Sequence, residues 1–209
     1  MKKIFFILSF ILCFFEKNQA QFVVSADKMN VFYVGVDNPV SLAVNGWEIS
    51  DLDICISNGI IEEDGEVGKY NVRVWNGGIT SIEIRHKDTL LLEKIYRVKR
   101  IPNPEARLII NDSYRLGHPT LSATKSLIAV TESFDFDVKC SISSFNFTYI
   151  SKNQDPIIHF NIGGVFNSNV ISAIQKAKLG DTYYFDEVKA RCPSDEVGRT
   201  INSLVFVMR

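Results

Sequence analysis

From Phe22 to Phe206 the chain is a series of short runs in which apolar and polar residues alternate, broken every few positions by Gly, Pro, Asn or Asp. Alternation with a period of two puts one set of side chains on each face of an extended strand. Phe22–Ser25 and Met29–Val34 are the first such runs, followed by Val40, Leu42 and Val44 alternating with Ser41 and Ala43. Asp37-Asn38-Pro39 before the third run and Asn45-Gly46 after it are turn chemistry. Leu52, Ile54 and Ile56 alternate likewise and end at Asn58-Gly59, a dipeptide that predicts a hairpin. A further strand is expected at Gly68–Val74, with Tyr70, Val72 and Val74 on one face. Asn76-Gly77-Gly78 then turns the chain into Ile82 and Ile84 and a last strand over Leu90–Val98. About seven short strands with frequent turns predict a small β-sandwich.

The pattern is interrupted by Arg100-Ile101-Pro102-Asn103-Pro104-Glu105. Two prolines this close fit neither a helix nor a central strand, because each lacks an N–H and biases the preceding residue toward extended backbone. The segment reads as a stiff, extended link between two strand-rich units.

Beyond it, Phe134, Phe136 and Val138 alternate with Asp135, Asp137 and Lys139, which predicts a strand with one apolar and one charged face. Residues 121–130 carry a short helical pattern. A firmer helix is expected from about Asn169 to Lys178, with Ser168 as N-cap, Val170, Ile174 and Ala177 on one face, and Gly180 just beyond. The expected fold class is mainly β: two tandem immunoglobulin-like sandwiches, the second with one or two short helices. The expected division is residues 1–20 as a signal peptide, 21–100 as the first domain, 101–104 as the linker and 105–209 as the second domain.

The N-terminus changes the picture of where the chain works. Lys2 and Lys3 precede an apolar run from Ile4 to Phe15, and Ala20 stands at a plausible cleavage point. A bilayer span needs about 20 apolar residues, so this run predicts a cleavable secretory signal rather than an anchor. Removing Lys2, Lys3, Lys17 and Glu16 from 23 basic and 24 acidic residues leaves 20 and 23, a net charge of −3. There is no basic stripe with interleaved aromatics, which argues against nucleic acid as a partner. No second apolar run reaches membrane length. The expectation is an exported chain with no membrane span after cleavage, in the periplasm first, with cell-surface or secreted as alternatives.

Three cysteines remain after cleavage: Cys55, Cys140 and Cys192. They allow at most one internal bridge and leave one thiol over. Cys140, alternating with Val138 and Ile142, reads as a small buried hydrophobe, and Cys192 before Pro193 reads as part of a turn. With no Cys-x-x-Cys pair, a structural zinc site is not expected.

No catalytic, cofactor-binding or metal-ligating residues are expected. His86, His118 and His159 stand far apart without metal-ligand spacing. Asp135 and Asp137 share one strand face, where solvated acids are the simpler reading than a carboxylate pair across a cleft. Glu62-Glu63-Asp64-Gly65-Glu66 lacks the spacing of a calcium loop. Gly77-Gly78 and Gly163-Gly164 are not followed by a phosphate-binding Gly-Lys, and no serine sits in a Gly-x-Ser-x-Gly elbow. Trp47 and Trp75 could stack a sugar, although packing is the commoner use of such aromatics. Asp88-Thr89-Leu90 matches a short O-glycosylation acceptor pattern.

Ala26-Asp27-Lys28-Met29-Asn30 with Val31-Phe32-Tyr33-Val34-Gly35-Val36-Asp37-Asn38-Pro39-Val40 resembles a segment of the GldM/PorM family, a core component of gliding motility and type IX secretion in Bacteroidetes. The later Gly-x-Tyr-x-Val and Val98–Pro104 junction continue the resemblance in order. So do Glu132–Val138 with Ser144-Phe145, Ala177–Ala190, and Ile201-Asn202 through Val205-Phe206. It covers roughly residues 25–209.

The resemblance implies the family's two C-terminal domains. Family members begin with a transmembrane helix and a long periplasmic region, where this chain is expected to pass from a signal almost directly into the penultimate domain. Energy transduction is therefore not implied. What the resemblance implies is a non-catalytic periplasmic interaction module that binds envelope proteins, among them type IX secretion components. The family's elongated form implies a homodimer, with a monomer as the alternative. A secreted ligand- or glycan-binding protein reusing the fold is the competing expectation.

Overall fold

The computed structural model describes residues 22–26, 30–108, 115–116, 118–132, 134–152 and 154–208. The signal-peptide expectation at residues 1–20 lies outside them, as do Asp27–Met29 of the family-like segment. The chain divides into two compact units.

The first unit runs to Phe32 and resumes over Asp37–Lys99, and its described residues form eight strands, of which the second extends one residue beyond it. These are β1 (Phe22–Ala26), β2 (Val31–Tyr33), β3 (Asn38–Val44), β4 (Asp53–Ile56), β5 (Ile60–Glu63), β6 (Lys69–Arg73), β7 (Gly78–His86) and β8 (Thr89–Lys99). They form two four-stranded sheets, β1-β3-β6-β5 and β2-β8-β7-β4. The alternation read from sequence is what the unit buries: Val24, Val40, Leu42, Tyr70 and Val72 from one sheet, Ile82, Ile84, Tyr96 and Val98 from the other. Phe32 stacks on Tyr96 at 4.4 Å between ring centroids.

Asn58-Gly59 does not close a hairpin. β4 pairs with β7 and β5 with β6, so the chain changes sheets there. Side-chain bonding explains the difference. The Asn58 amide nitrogen donates to the Asn76 carbonyl at 2.8 Å, and its backbone N–H donates to Thr80 Oγ1 at 3.2 Å. Gly59 has φ +144° and passes so close to β6 that a Cβ would lie 2.1 Å from the Arg73 carbonyl oxygen. The dipeptide marks a crossing that only glycine can make.

The second unit comprises Arg100–Arg209 with Tyr33–Val36. Its elements are β9 (Glu105–Leu108), β10 (Arg115–Leu116), α1 (His118–Ala123), β11 (Leu127–Val130), β12 (Ser141–Ile150), β13 (Ile157–Ile162), α2 (Ser168–Gln175), β14 (Thr182–Arg191), β15 (Arg199–Thr200) and β16 (Leu204–Met208). A main sheet runs β10-β16-β14-β12-β13, with β15 beside β14, and β9 and β11 form a separate ribbon. One face of the sheet carries Phe145, Phe147, Tyr183, Phe185, Val188 and Phe206, all buried. Leu121 of α1, Val170 and Ile174 of α2, and Ala106, Leu108 and Leu127 of the ribbon pack into the same core.

Both units are mainly β, and the second carries two short helices. Three local expectations change. The helical pattern over 121–130 splits into α1, which ends at Ala123, and β11, where Leu127–Val130 pair with Leu108–Glu105. The N-cap of α2 is Asn167 rather than Ser168; its Oδ1 accepts the Val170 N–H at 3.0 Å. The Phe134–Val138 run is not a strand. Phe136 is buried and Asp135 and Asp137 are exposed, so the alternation of faces is real, but the segment joins no ladder among the described residues. Aromatic side chains pack against it: Tyr33 lies edge-on to Phe134 at 4.8 Å and Phe136 at 5.3 Å.

Candidate interaction surface

The strand β13 inverts the usual rule for a half-buried sheet. Its sequence, Ile157-Ile158-His159-Phe160-Asn161-Ile162, places Ile158, Phe160 and Ile162 on one face and His159 and Asn161 on the other. Burial of the apolar set would be expected. Instead Ile158, Phe160 and Ile162 are 64%, 60% and 79% exposed, while Asn161 is fully buried.

A network at Asn161 holds this register. Its Nδ2 donates to the carbonyls of Ile162, Gly163 and Val165 at 3.2, 2.9 and 3.0 Å, and its Oδ1 accepts the Asn167 N–H at 2.8 Å. Asn167 in turn caps α2 and donates from Nδ2 to the Phe160 carbonyl at 3.0 Å. One buried amide thus satisfies the turn after β13 and ties that strand to a helix start. A one-residue slip would bury the three apolar side chains and break every one of these bonds.

Cross-strand register extends the exposed face. Ile162, Phe160 and Ile158 stand opposite Ser144, Asn146 and Thr148 of β12. Those continue to Asp186 and Tyr184 of β14, and Tyr184 and Thr182 pair with Val205 and Val207 of β16. Val205 and Val207 are exposed as well. The result is a sheet face with exposed apolar margins and a half-buried polar centre, in which Thr148 is buried. β13 is its edge, and the Phe160 and Ile162 carbonyls are already taken by Asn167 and Asn161. What this face offers is side-chain contact area.

A second network secures the start of the unit. Arg199 holds the Asp195 carboxylate through Nε at 2.9 Å and Nη2 at 2.5 Å, and its Nη1 donates to the Ile101 carbonyl at 2.7 Å and Asn103 Oδ1 at 3.2 Å. Burial alone would raise the Asp195 pKa. The Arg199 bond, the Cys192 N–H and the charges of Arg199 and Arg100 outweigh it and hold the carboxyl below its ordinary value of 3.8. A depressed folded-state pKa means that this pair's contribution is fully present above 3.8 and lost as pH falls through the lower folded value. We expect the melting temperature to fall on acidification below pH ~4, and Asp195→Asn to flatten part of that slope; a pH series of thermal melts on both proteins checks it.

The residues singled out for chemistry do not converge. His86 ends β7 with its ring 4.3 Å from Trp47, His159 lies within β13, and the His118 side chain is outside the described residues. No group of three potential metal ligands occurs among the described residues. Glu62, Glu63, Asp64 and Glu66 are exposed where β5 turns toward β6. The two tryptophans differ in setting: Trp47 is half-buried against His86, while Trp75 is 56% exposed. Thr89 is exposed at the tip of the β7–β8 hairpin. Cys140, read as a buried hydrophobe, is instead bonded to Cys192 with a Cα–Cα distance of 4.2 Å, and Cys55 is the free, exposed cysteine among the described residues. Spacing could not reveal this pairing, because it depends on β12 and β14 lying side by side. The buried Asn161 and Asp195–Arg199 networks were equally invisible to pattern. The one signal at Asn161 is a polar residue inside an apolar run.

No helix among the described residues is long and apolar enough to cross a membrane. Among solved structures, the chain resembles the adhesin InvE of Yersinia pseudotuberculosis at 12% identity and TM-score 0.31, covering 90% of this chain and 58% of that one. It also resembles domains 6–7 of the surface-layer protein SbsC (10% identity, TM-score 0.37, 91% and 97% covered). Fibronectin(III)-like modules of CbhA from Clostridium thermocellum match at 17% identity and TM-score 0.27, covering 90% and 94%. No curated protein matches the sequence. The family models are decisive: the GldM third domain matches residues 21–99 and the GldM C-terminal domain matches residues 102–208. Together they span nearly every residue of both units, and the chain belongs to the GldM family.

Proposed function

We propose that this chain is a non-catalytic interaction module, exported to the periplasm, that docks onto envelope proteins of the gliding-motility and type IX secretion machinery. Membership of the GldM family supports the setting. The observation that carries the docking role is the outward face of β13. A soluble sheet ordinarily buries its apolar set, and an exposed one next to a buried, fully bonded Asn161 is best accounted for by a partner that covers it. Core-type burial of Ile158, Phe160 and Ile162 by a partner would contribute about 1.5–3 kcal/mol per side chain before association costs.

The test is in-cell cross-linking in the native host followed by affinity capture and mass spectrometry. The wild-type chain is compared with the double variant Phe160→Glu, Ile162→Glu. Capture of ring or shaft components by the wild type, reduced about tenfold or more in the variant, is the expected result, since two buried charges cost well over 1.4 kcal/mol. Circular dichroism confirms that the variant is folded. Equal capture by both proteins would remove this face from the reading, and capture of nothing but the chain itself would remove the reading.

A further inference from the structure

We propose that the Cys140–Cys192 disulfide is a redox-controlled latch on the linker: oxidised, it fixes Ile101–Asn103 through Asp195 and Arg199; reduced, it lets that segment go. This goes beyond the docking role and does not depend on it.

The first observation is position. Ser141 of β12 pairs with Arg191 of β14, so Cys140 and Cys192 are the next residues outward on the same ladder. Each opens a segment without regular structure: 134–140 on one side, 192–198 on the other. The disulfide is the last cross-strand link before both leave the sheet.

The second is a relay of bonds from Cys192 to the linker. The Cys192 N–H donates to Asp195 Oδ2 at 2.8 Å, and the Asp195 N–H donates to the Cys192 carbonyl at 3.1 Å, closing a tight turn. The Asp195 carboxylate is the counter-ion that orients Arg199, and Arg199 holds the Ile101 carbonyl and Asn103. Displacing Cys192 displaces the carboxylate, and the guanidinium loses the group that aims it. A separate anchor limits the effect. Asn202 bonds Ala106 in both directions, at 2.7 and 3.2 Å, and involves neither cysteine.

The third is access. Cys192 is buried, but Cys140 lines an open groove of about 510 Å³ together with Val138, Lys139, Ile142, Leu127 and Val165. A thiolate entering the groove reaches Cys140, which lines it, rather than the buried Cys192, and the sulfur displaced is that of Cys192. With a dithiol as reductant, one thiolate bonds Cys140 Sγ, the S–S bond breaks, and Cys192 leaves as a thiolate that takes a proton. The second thiol resolves the mixed disulfide, leaving two cysteine thiols and the oxidised dithiol, a transfer of two electrons and two protons.

The test uses the chain carrying Cys13→Ser and Cys55→Ser, which leaves Cys140 and Cys192 as the two cysteines able to exchange. Oxidised and dithiothreitol-reduced samples, with thiols counted by alkylation, are digested with trypsin and the cuts are timed by mass spectrometry. Cleavage of Arg100–Ile101 reports the linker, and cleavage after Arg107 in β9 is the internal clock for opening of the unit. Reduction is expected to speed the first cut about tenfold while changing the second less than about twofold, since cleavage tracks local opening. Arg199→Gln in the oxidised protein should reproduce the faster cut without any change in thiols. Equal acceleration at both sites would make the disulfide a staple of the whole unit and overturn the latch. So would an unchanged Arg100 cut with two thiols counted, or an Arg199→Gln protein that cuts like its parent.

Discussion

Phe185→Ala is expected to destabilise the second unit by about 3–5 kcal/mol, the range for deleting a buried aromatic ring. Phe185 is fully buried on β14, with the rings of Phe145, Phe147, Phe166 and Phe206 at 5.6, 5.1, 5.6 and 6.0 Å between centroids. Those four rings come from β12, β16 and the turn before α2, so the hole would open where sheet and helical layer meet. The neighbours are themselves large and packed on several sides, which limits collapse into the space. Domains of this kind have total stabilities of about 5–15 kcal/mol, so the loss is a large share of the whole. Urea unfolding followed by circular dichroism reads it as a shift in midpoint at constant slope. Phe160→Ala removes the same ring from the opposite, exposed face and should change stability by only about 0.5 kcal/mol. A large effect at Phe160 would mean that the outward face is not free.

Asn161→Asp is the second large effect, about 3 kcal/mol or more, from a change that preserves shape. The amide donates to three backbone carbonyls from one nitrogen. Aspartate would present an acceptor, and at neutral pH a charge, to three other acceptors in a site closed to water. Ionisation there is disfavoured, and the neutral acid has one hydrogen to offer where the amide offers two. Beyond the loss of stability, the substitution removes the device that keeps Ile158, Phe160 and Ile162 outward. Hydrogen exchange should show faster amide turnover in β13 and the first turn of α2 than in β14. Uniform change across the sheet would mean that Asn161 contributes only to overall stability.

The parts of the fold legible in sequence are those in which each side chain's local preference agrees with its final burial. Val40 and Leu42 in β3, Tyr70 and Val72 in β6, and Ile82 and Ile84 in β7 alternate in sequence and are buried in turn. The α2 helix was readable for the same reason, although its cap lies one residue earlier, because Asn167 and Ser168 are both good N-caps and only tertiary bonding to Phe160 separates them. Legibility fails where the deciding partner is distant. Asn58-Gly59 has hairpin chemistry, yet the groups that claim it are Asn76 and Thr80. Phe134–Val138 has strand periodicity but joins no sheet among the described residues. At the candidate surface the pattern was present but its direction was not. Alternation in Ile157–Ile162 fixes which residues share a face and is silent about which face meets water.

The sheet exchange at Asn58-Gly59 also bears on how the first unit is built in time. β3 pairs with β6 and β2 lies beside β8, so few strands meet their immediate neighbours in the chain. Among the described residues, only β5–β6 and β7–β8 are local hairpins. Contacts of high sequence separation carry a loop-closure cost before any stabilisation is returned, which slows folding. During synthesis, β2 must therefore wait, apolar and without its partner, until the last strand of the unit has emerged.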